Sequence, residues 1–288
     1  MSDPILAFES FGYTRREAAF LYLVAIHSGY FLRRQFDYFI DRNRGGVAAR
    51  FLEKGRINGH VRLMDAGHGR QVYHLFYKPI YRVIGNPESQ NRHRKGDADV
   101  RARLMKLDYI LENQQEHYLI SAEEKLRFFG ETRGIHPRFF MTADRKLQSE
   151  LHSILFSLID RKSPATTLVR CAFIDEGLLT TRKFERVLSR ITPLLVSLEY
   201  FEVVYVAHSN HNFEDAAKLF WRKFRPEGGV EQPPLAPGWR AIPRPLIENQ
   251  RLQPNFATLL LRFNYPLLTK DPAGCSVSRS PSDSELTA

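Results

Sequence analysis

Two neighbouring carboxylates, Asp175 and Glu176, close an apolar stretch (166–174) that reads as a β-strand. At the carboxyl end of a strand such a pair can hold Mg²⁺, a hard cation that takes oxygen ligands, water and phosphate. Lys183 could assist by charge, although it falls on the helix that follows. The plainer reading of an isolated Asp-Glu pair is a polar strand end that caps the next turn, and it is the preferred one. His208 and His211 flank Ser209-Asn210 with a spacing that suits a metal at a turn, but no third ligand stands nearby, so no metal site is assigned. Cys171 reads as a core residue of its strand, and with Cys275 as its only companion it makes neither a disulfide framework nor a zinc site. No Gly-x-x-x-x-Gly-Lys loop, Gly-x-Ser-x-Gly elbow or Cys-x-x-Cys pair occurs, which removes most support for ATP-driven, serine-hydrolase and zinc-finger chemistry.

Cationic residues form the second constellation. The chain has 288 residues, with Lys+Arg 42 against Asp+Glu 32, a formal net charge of +10. Over residues 14–82 there are thirteen basic and five acidic side chains, so a net of +8 sits in the first third of the chain. Concentrated positive charge favours an anionic partner, nucleic acid first among them. Arg42, Arg44, Arg50, Lys54 and Arg56 surround one helical segment, Arg33 and Arg34 lie on the helix before it, and Arg62 and Arg70 lie on a hairpin after it. Arginine is the commonest reader of guanine edges, so Arg44, Arg50 and Lys54 are the expected base contacts. Arg33 and Arg34 are expected on the phosphate backbone. The alternative is a small helical domain whose arginines are simply solvated.

These residues need elements to position them. Thr14 and Glu17 form a capping-box pattern, and Ala18, Leu21, Tyr22 and Ala25 recur at helical spacing up to His27-Ser28-Gly29. A second helix suits residues 32–40, a turn residues 41–45, and a third helix runs through Val47, Ala48, Phe51 and Leu52 to stop near Gly55. The period then changes to two, with strands at 60–64 and 70–76 around the loop Asp65-Ala66-Gly67-His68-Gly69. His60, His68 and His74 fall on this hairpin, where partial exposure or phosphate contact is expected. Helix, helix, turn, helix and hairpin is the order of a winged helix-turn-helix, whose third helix fits a major groove of about 12 Å. Residues 85–97 lack apolar side chains and read as a linker or exposed loop. Beyond it, strands at 166–174 and 201–207 alternate with helices from Thr181 and from Asn212, which argues for a parallel pair with a crossover. Short strands are expected at 117–120 and 139–142, a helix over 146–158, and a late edge strand at 256–263. Pro193 is expected to kink or end its helix.

Composition bounds the rest. Hydrophobic residues make up 43% and charged residues 26%, ordinary values for a globular protein. No apolar run approaches the roughly eighteen residues of a membrane helix. Met1-Ser2-Asp3-Pro4 has neither the basic region nor the cleavage site of a secretory leader, so a cytoplasmic location and no membrane partner are expected.

Several segments together resemble the replication-relaxation family of bacterial plasmids and mobile elements. They are Thr14-Arg15-Arg16-Glu17, the hairpin around Gly67-His68-Gly69, Phe173-Ile174-Asp175-Glu176-Gly177, Lys183-Phe184 and Phe201-Glu202-Val203-Val204-Tyr205-Val206. The resemblance implies an α+β chain, with an N-terminal winged helix-turn-helix (1–85) and an α/β module with a small mixed sheet similar to the restriction-endonuclease fold (97–268); the Pro-, Gly- and Ser-rich composition of the last residues makes 269–288 a disordered tail. Active nucleases of that fold pair an acidic strand end with Glu-x-Lys on the next strand. Here Asp175 and Glu176 stand at the acidic position and Glu202 could supply the glutamate, but Val204 takes the lysine's place. The departure fits an inactive nuclease-like module better than an enzyme. The expected function is double-stranded DNA binding in plasmid replication, transfer or transcriptional control, with no cofactor, and a replication or relaxation protein or a second copy of the chain as further partner. The alternative is a Mg²⁺-dependent nuclease using Asp175, Glu176 and Lys183.

Overall fold

The computed structural model describes residues 3–41, 46–65, 71–141, 154–159, 167–175, 180–198, 200–224 and 257–264. Among them the chain is mixed α+β, with nine α-helices and two sheets. The tail expected at 269–288 lies outside the described residues.

The first elements follow from their caps. Asp3 accepts from the Ile5 amide and starts α1 (Pro4–Glu9). Thr14 and Glu17 satisfy each other's backbone amides and start α2 (Arg15–His27), which leaves two fewer orphan donors at that end. There follow β1 (Tyr30–Phe31), α3 (Arg33–Phe39), α4 (Val47–Ile57), β2 (Val61–Asp65), β3 (Gln71–Leu75) and α5 (Lys78–Val83). α4 runs past Gly55, whose missing side chain lets Val61 of β2 pack within about 3 Å of where a Cβ would stand. The three strands are antiparallel in the order β1-β3-β2, with Tyr30 opposite His74 and Val61 opposite Leu75. Four elements each send one phenylalanine into the centre: Phe20 from α2, Phe31 from β1, Phe36 from α3 and Phe51 from α4, all fully buried. Phe36 stacks on Phe51 at 4.0 Å and meets Phe20 edge-on at 5.1 Å. Such pairs add about 0.5–1.5 kcal/mol each beyond the area they bury.

Residues 85–97, expected as an exposed linker, are instead a packed strap. Asn91 donates its side-chain amide to the carbonyls of Ala25 and Ile26, which closes the end of α2. Ser89 is buried, and Tyr30 Oη donates to the His93 carbonyl while accepting from the Lys95 amide. Polar side chains made the segment look like a linker; they are the groups that satisfy buried backbone. The strap leads into α6 (Asp97–Glu112), which precedes the single-turn α7 (Ala122–Lys125) and carries apolar residues on two faces. Leu107 and Leu111 join the first core, while Met105, Tyr109 and Ile110 lie on the second sheet.

That sheet has five strands in sequence order: β4 (His117–Tyr118), β5 (Ile154–Ile159), β6 (Leu168–Ile174), β7 (Tyr200–Ala207) and β8 (Ala257–Asn264). β6 and β7 are parallel, joined through α8 (Arg182–Leu195), and the other pairs are antiparallel. α8 and α9 (Phe213–Lys223) cover one face and α6 the other, so β6 and β7 are buried on both sides. Two expectations change. Of the helix expected over 146–158, residues 146–153 lie outside the described residues and 154–158 are strand: Ile154, Leu155 and Phe156 are all buried because both faces are covered, and an apolar run of that length does not distinguish the two. The strand expected at 139–142 is not formed over 139–141: Phe139 ends a 3₁₀ turn (Pro137–Phe139) and 140–141 belong to no strand, while residue 142 lies outside the described residues. Pro193 sits in the last turn of α8, where the helix ends two residues later.

Candidate nucleic-acid interface

On α4, Arg50 and Arg56 are exposed, and on β2 the Arg62 guanidinium lies over the Phe76 ring at 4.6 Å with its side chain open to solvent. Arg33, on the first turn of α3, is exposed and reaches Asp37 at 3.6 Å. Its neighbour Arg34 turns inward. Its two terminal nitrogens donate to Asp108 of α6 at 2.8 and 2.6 Å, and Gln35 donates to the same carboxylate at 2.8 Å. Successive helical residues point about 100° apart, so adjacent arginines on α3 have different roles. Lys54 is also engaged: it pairs with Glu17 at 2.6 Å, donates to the Gly12 carbonyl, and sits over the Tyr13 ring. Arg42, Arg44 and Arg70 lie outside the described residues. The structure therefore brings Arg50, Arg56 and Arg62 to the surface and commits Arg34 and Lys54 to internal partners.

Arg15 and Arg16 were not singled out as contacts, yet they line a groove of about 650 Å³ with Arg50, Lys54, Phe36, Ile40 and Val47. Arg16 donates to the Ile40 carbonyl at 2.9 Å, which fixes the start of α2 against the end of α3. The pattern Thr14-Arg15-Arg16-Glu17 carries the signal: Glu17 at N3 is buried and closes the capping box, while the two arginines before it are exposed.

The hairpin histidines do not add charge. His60 and His74 are buried, not partly exposed as expected, and His68 lies outside the described residues. His60 Nδ1 and Tyr13 Oη are 2.9 Å apart, and His74 stacks on Tyr30 at 4.3 Å. Burial pushes the His74 pKa down to about 4, with the nearby cations Arg62 and Arg103 adding to the effect, and it lowers that of His60 as well. Both are neutral at pH 7.

In the second sheet the carboxylates separate. Asp175 follows β6 and is buried; its Oδ2 accepts from Tyr205 Oη at 2.5 Å and from the Asn212 amide at 3.4 Å, and its own amide donates to the Val206 carbonyl. Asn212 is the N-cap of α9, so this carboxylate ties the end of β6 to β7 and to the start of α9. Glu176 lies outside the described residues, and Lys183 stands on the first turn of α8. Glu202 projects from the opposite face, towards α6, where Arg170 donates to it at 2.9 and 2.7 Å. Arg170 also pairs with Glu116, which accepts from Ser157 Oγ at 2.6 Å. Residues 157, 170 and 202 are cross-strand partners, so the network is one rung of the sheet. Asp175 is five residues along β6 from that rung, roughly 16 Å at strand rise, and on the other face. The fold does not bring Asp175 and Glu202 together. Val204, in the lysine position, is part of the apolar layer under α6. His208 and His211 are exposed, and among the described residues no three His, Cys, Asp or Glu side chains gather as a metal site. Burial pushes the Cys171 thiol up, which leaves it unreactive in the core.

Comparison with known protein families, curated proteins and solved structures finds no match to this chain. Among the described residues no helix is long and apolar enough to cross a membrane.

Proposed function

We propose that the chain binds double-stranded DNA through its N-terminal unit, acting as a winged helix-turn-helix. In this reading α3 and α4 are the two helices of the motif, α4 enters the major groove, and the β2–β3 hairpin is the wing beside it. The observation that carries the reading is the outward placement of Arg50 and Arg56 on α4 and of Arg62 on β2, above a core that fixes both elements. Cationic groups on rigid elements bind phosphate and base edges at low cost in side-chain ordering. The second module then serves as a scaffold, in a protein of plasmid replication, transfer or their transcriptional control. The alternative, Mg²⁺-dependent cleavage at Asp175, has less support, because Asp175 and Glu202 already hold protein donors on opposite faces of the sheet.

The test is a binding titration with a labelled duplex, beside supercoiled plasmid incubated with Mg²⁺ or EDTA. Arg50→Ala/Arg56→Ala should weaken binding by at least tenfold with an unchanged melting temperature, and the plasmid should stay intact. Unchanged affinity in the double variant would sink the DNA reading. Nicking that needs Mg²⁺ and disappears in Asp175→Ala would establish the nuclease instead.

A further inference from the structure

Tyr30, His74 and Arg62 project from the face of the first sheet opposite the phenylalanine core. Tyr30 and His74 are cross-strand partners stacked at 4.3 Å, and Arg62 is the partner of His74 on the other side. The strap crosses this face. Its backbone is held at three successive points: the Asn91 carbonyl lies 3.3 Å from His74 Nε2, the His93 carbonyl accepts from Tyr30 Oη at 3.0 Å, and the Lys95 amide donates to the same oxygen at 2.9 Å. Arg103 of α6 holds it from behind, donating to the Ser28 carbonyl at 2.7 Å and to the Asn91 side chain. The fit over Gly29 is close enough that a Cβ there would fall 2.0 Å from the Asn91 carbonyl oxygen.

A segment so firmly placed carries the sequence Arg92-His93-Arg94-Lys95. Arg92 and Lys78 neutralise Glu88. Arg94 is exposed, as are Arg62 beside the strap and Arg101 on α6, and the Lys95 side chain donates to the neutral Gln90 amide at 3.1 Å. Asp97 and Asp99, in the first turn of α6, are further acids of this surface beside Glu88; they stand where the helix dipole favours them. The patch keeps a positive excess on a backbone that is already ordered, so binding an anion here costs little further entropy.

We propose that residues 91–95 are a phosphate-binding strap, which together with Arg62 carries the backbone of a DNA duplex past the foot of the β2–β3 hairpin, outside the α4 contact. The proposal rests on the DNA reading above and extends it. It assigns Arg94 and Lys95 to sequence-independent contacts, which hold register without reading bases.

The test measures duplex affinity by anisotropy over a range of salt concentrations for the full-length chain. Each phosphate contact contributes about 0.9 to the slope of log K against log salt. Arg94→Ala/Lys95→Ala should therefore flatten the slope by roughly 1.8, with the melting temperature unchanged. Arg138→Ala/Arg222→Ala removes the same charge from exposed sites of the second unit and should leave the slope alone. A wild-type slope in the strap variant, while Arg50→Ala/Arg56→Ala still weakens binding, would overturn the strap and leave the DNA reading standing. Equal flattening in the strap variant and the distal control would show bulk charge at work and overturn it too. A wild-type chain that binds no duplex would remove both.

Discussion

His27 and His74 are imidazoles kept neutral by their surroundings. His27, the last residue of α2, is buried with its ring edge-on to Tyr118 of β4 at 5.4 Å, and burial with the nearby Lys106 charge takes its pKa down to about 3; for His74 the value is about 4. The folded protein thus binds fewer protons than the unfolded chain, whose histidines titrate near 6.5. Stability from these groups is complete above that value and is lost as the pH falls towards 4. Each contributes a slope of up to about 1.4 kcal/mol per pH unit in that window. Urea unfolding at a series of pH values should show the decline, and His74→Gln should flatten it by up to that amount. A slope that does not change in the variant would place the protonation elsewhere. The same inward pull separates Arg33 from Arg34. Both look like surface cations in sequence, but only contact with Asp108, 74 positions away, distinguishes them.

At the scale of elements, the strap depends on one glycine. Gly29 has φ +78°, a left-handed conformation, and the Asn91 carbonyl passes where its side chain would be. Gly29→Ala combines backbone strain with a backbone clash, so a loss of at least about 2 kcal/mol is expected. Limited proteolysis should then cut within 85–97 in the variant and spare that segment in the wild type; equal resistance in the two would mean the strap can shift without detaching. Local signals were enough for many elements: the Thr14–Glu17 box, the period-two hairpin, and the helix–strand alternation around β6 and β7 all read directly from residue order. Elements whose character comes from distant partners did not read so directly. β5 resembles a helix until β4 and β6 flank it, and the strap resembles a linker until the end of α2 and Tyr30 claim its polar groups. The site divides likewise. Exposure of Arg50 and Arg56 follows from the amphipathic pattern of α4, whereas the inward use of Lys54 requires knowing that Glu17 faces it.

For the molecule as a whole, α6 is shared property. Its Leu107 and Leu111 complete the first core, Met105, Tyr109 and Ile110 sit on the second sheet, and Asp108 receives Arg34 and Gln35. A chain ending at residue 85 would leave the Arg34 and Gln35 donors without their carboxylate and the core open on one side. Fragment 1–85 should melt well below fragment 1–112 in circular dichroism; equal melting would show that the first unit is complete without α6. The five-stranded sheet is closed differently. β7 has Phe201, Val203, Val204, Tyr205 and Val206 buried on its two faces, and its free side is paired by β8, from Ala207 opposite Ala257 to Tyr200 opposite Asn264. Synthesis at 5–20 residues per second takes several seconds to travel from residue 207 to residue 264. During that interval β7 is an open apolar edge on the nascent chain, the kind of strand that recruits other chains. The arrival of β8 therefore ends the interval in which β7 itself is open to neighbouring chains on the same messenger, and makes β8 the outer strand of the sheet.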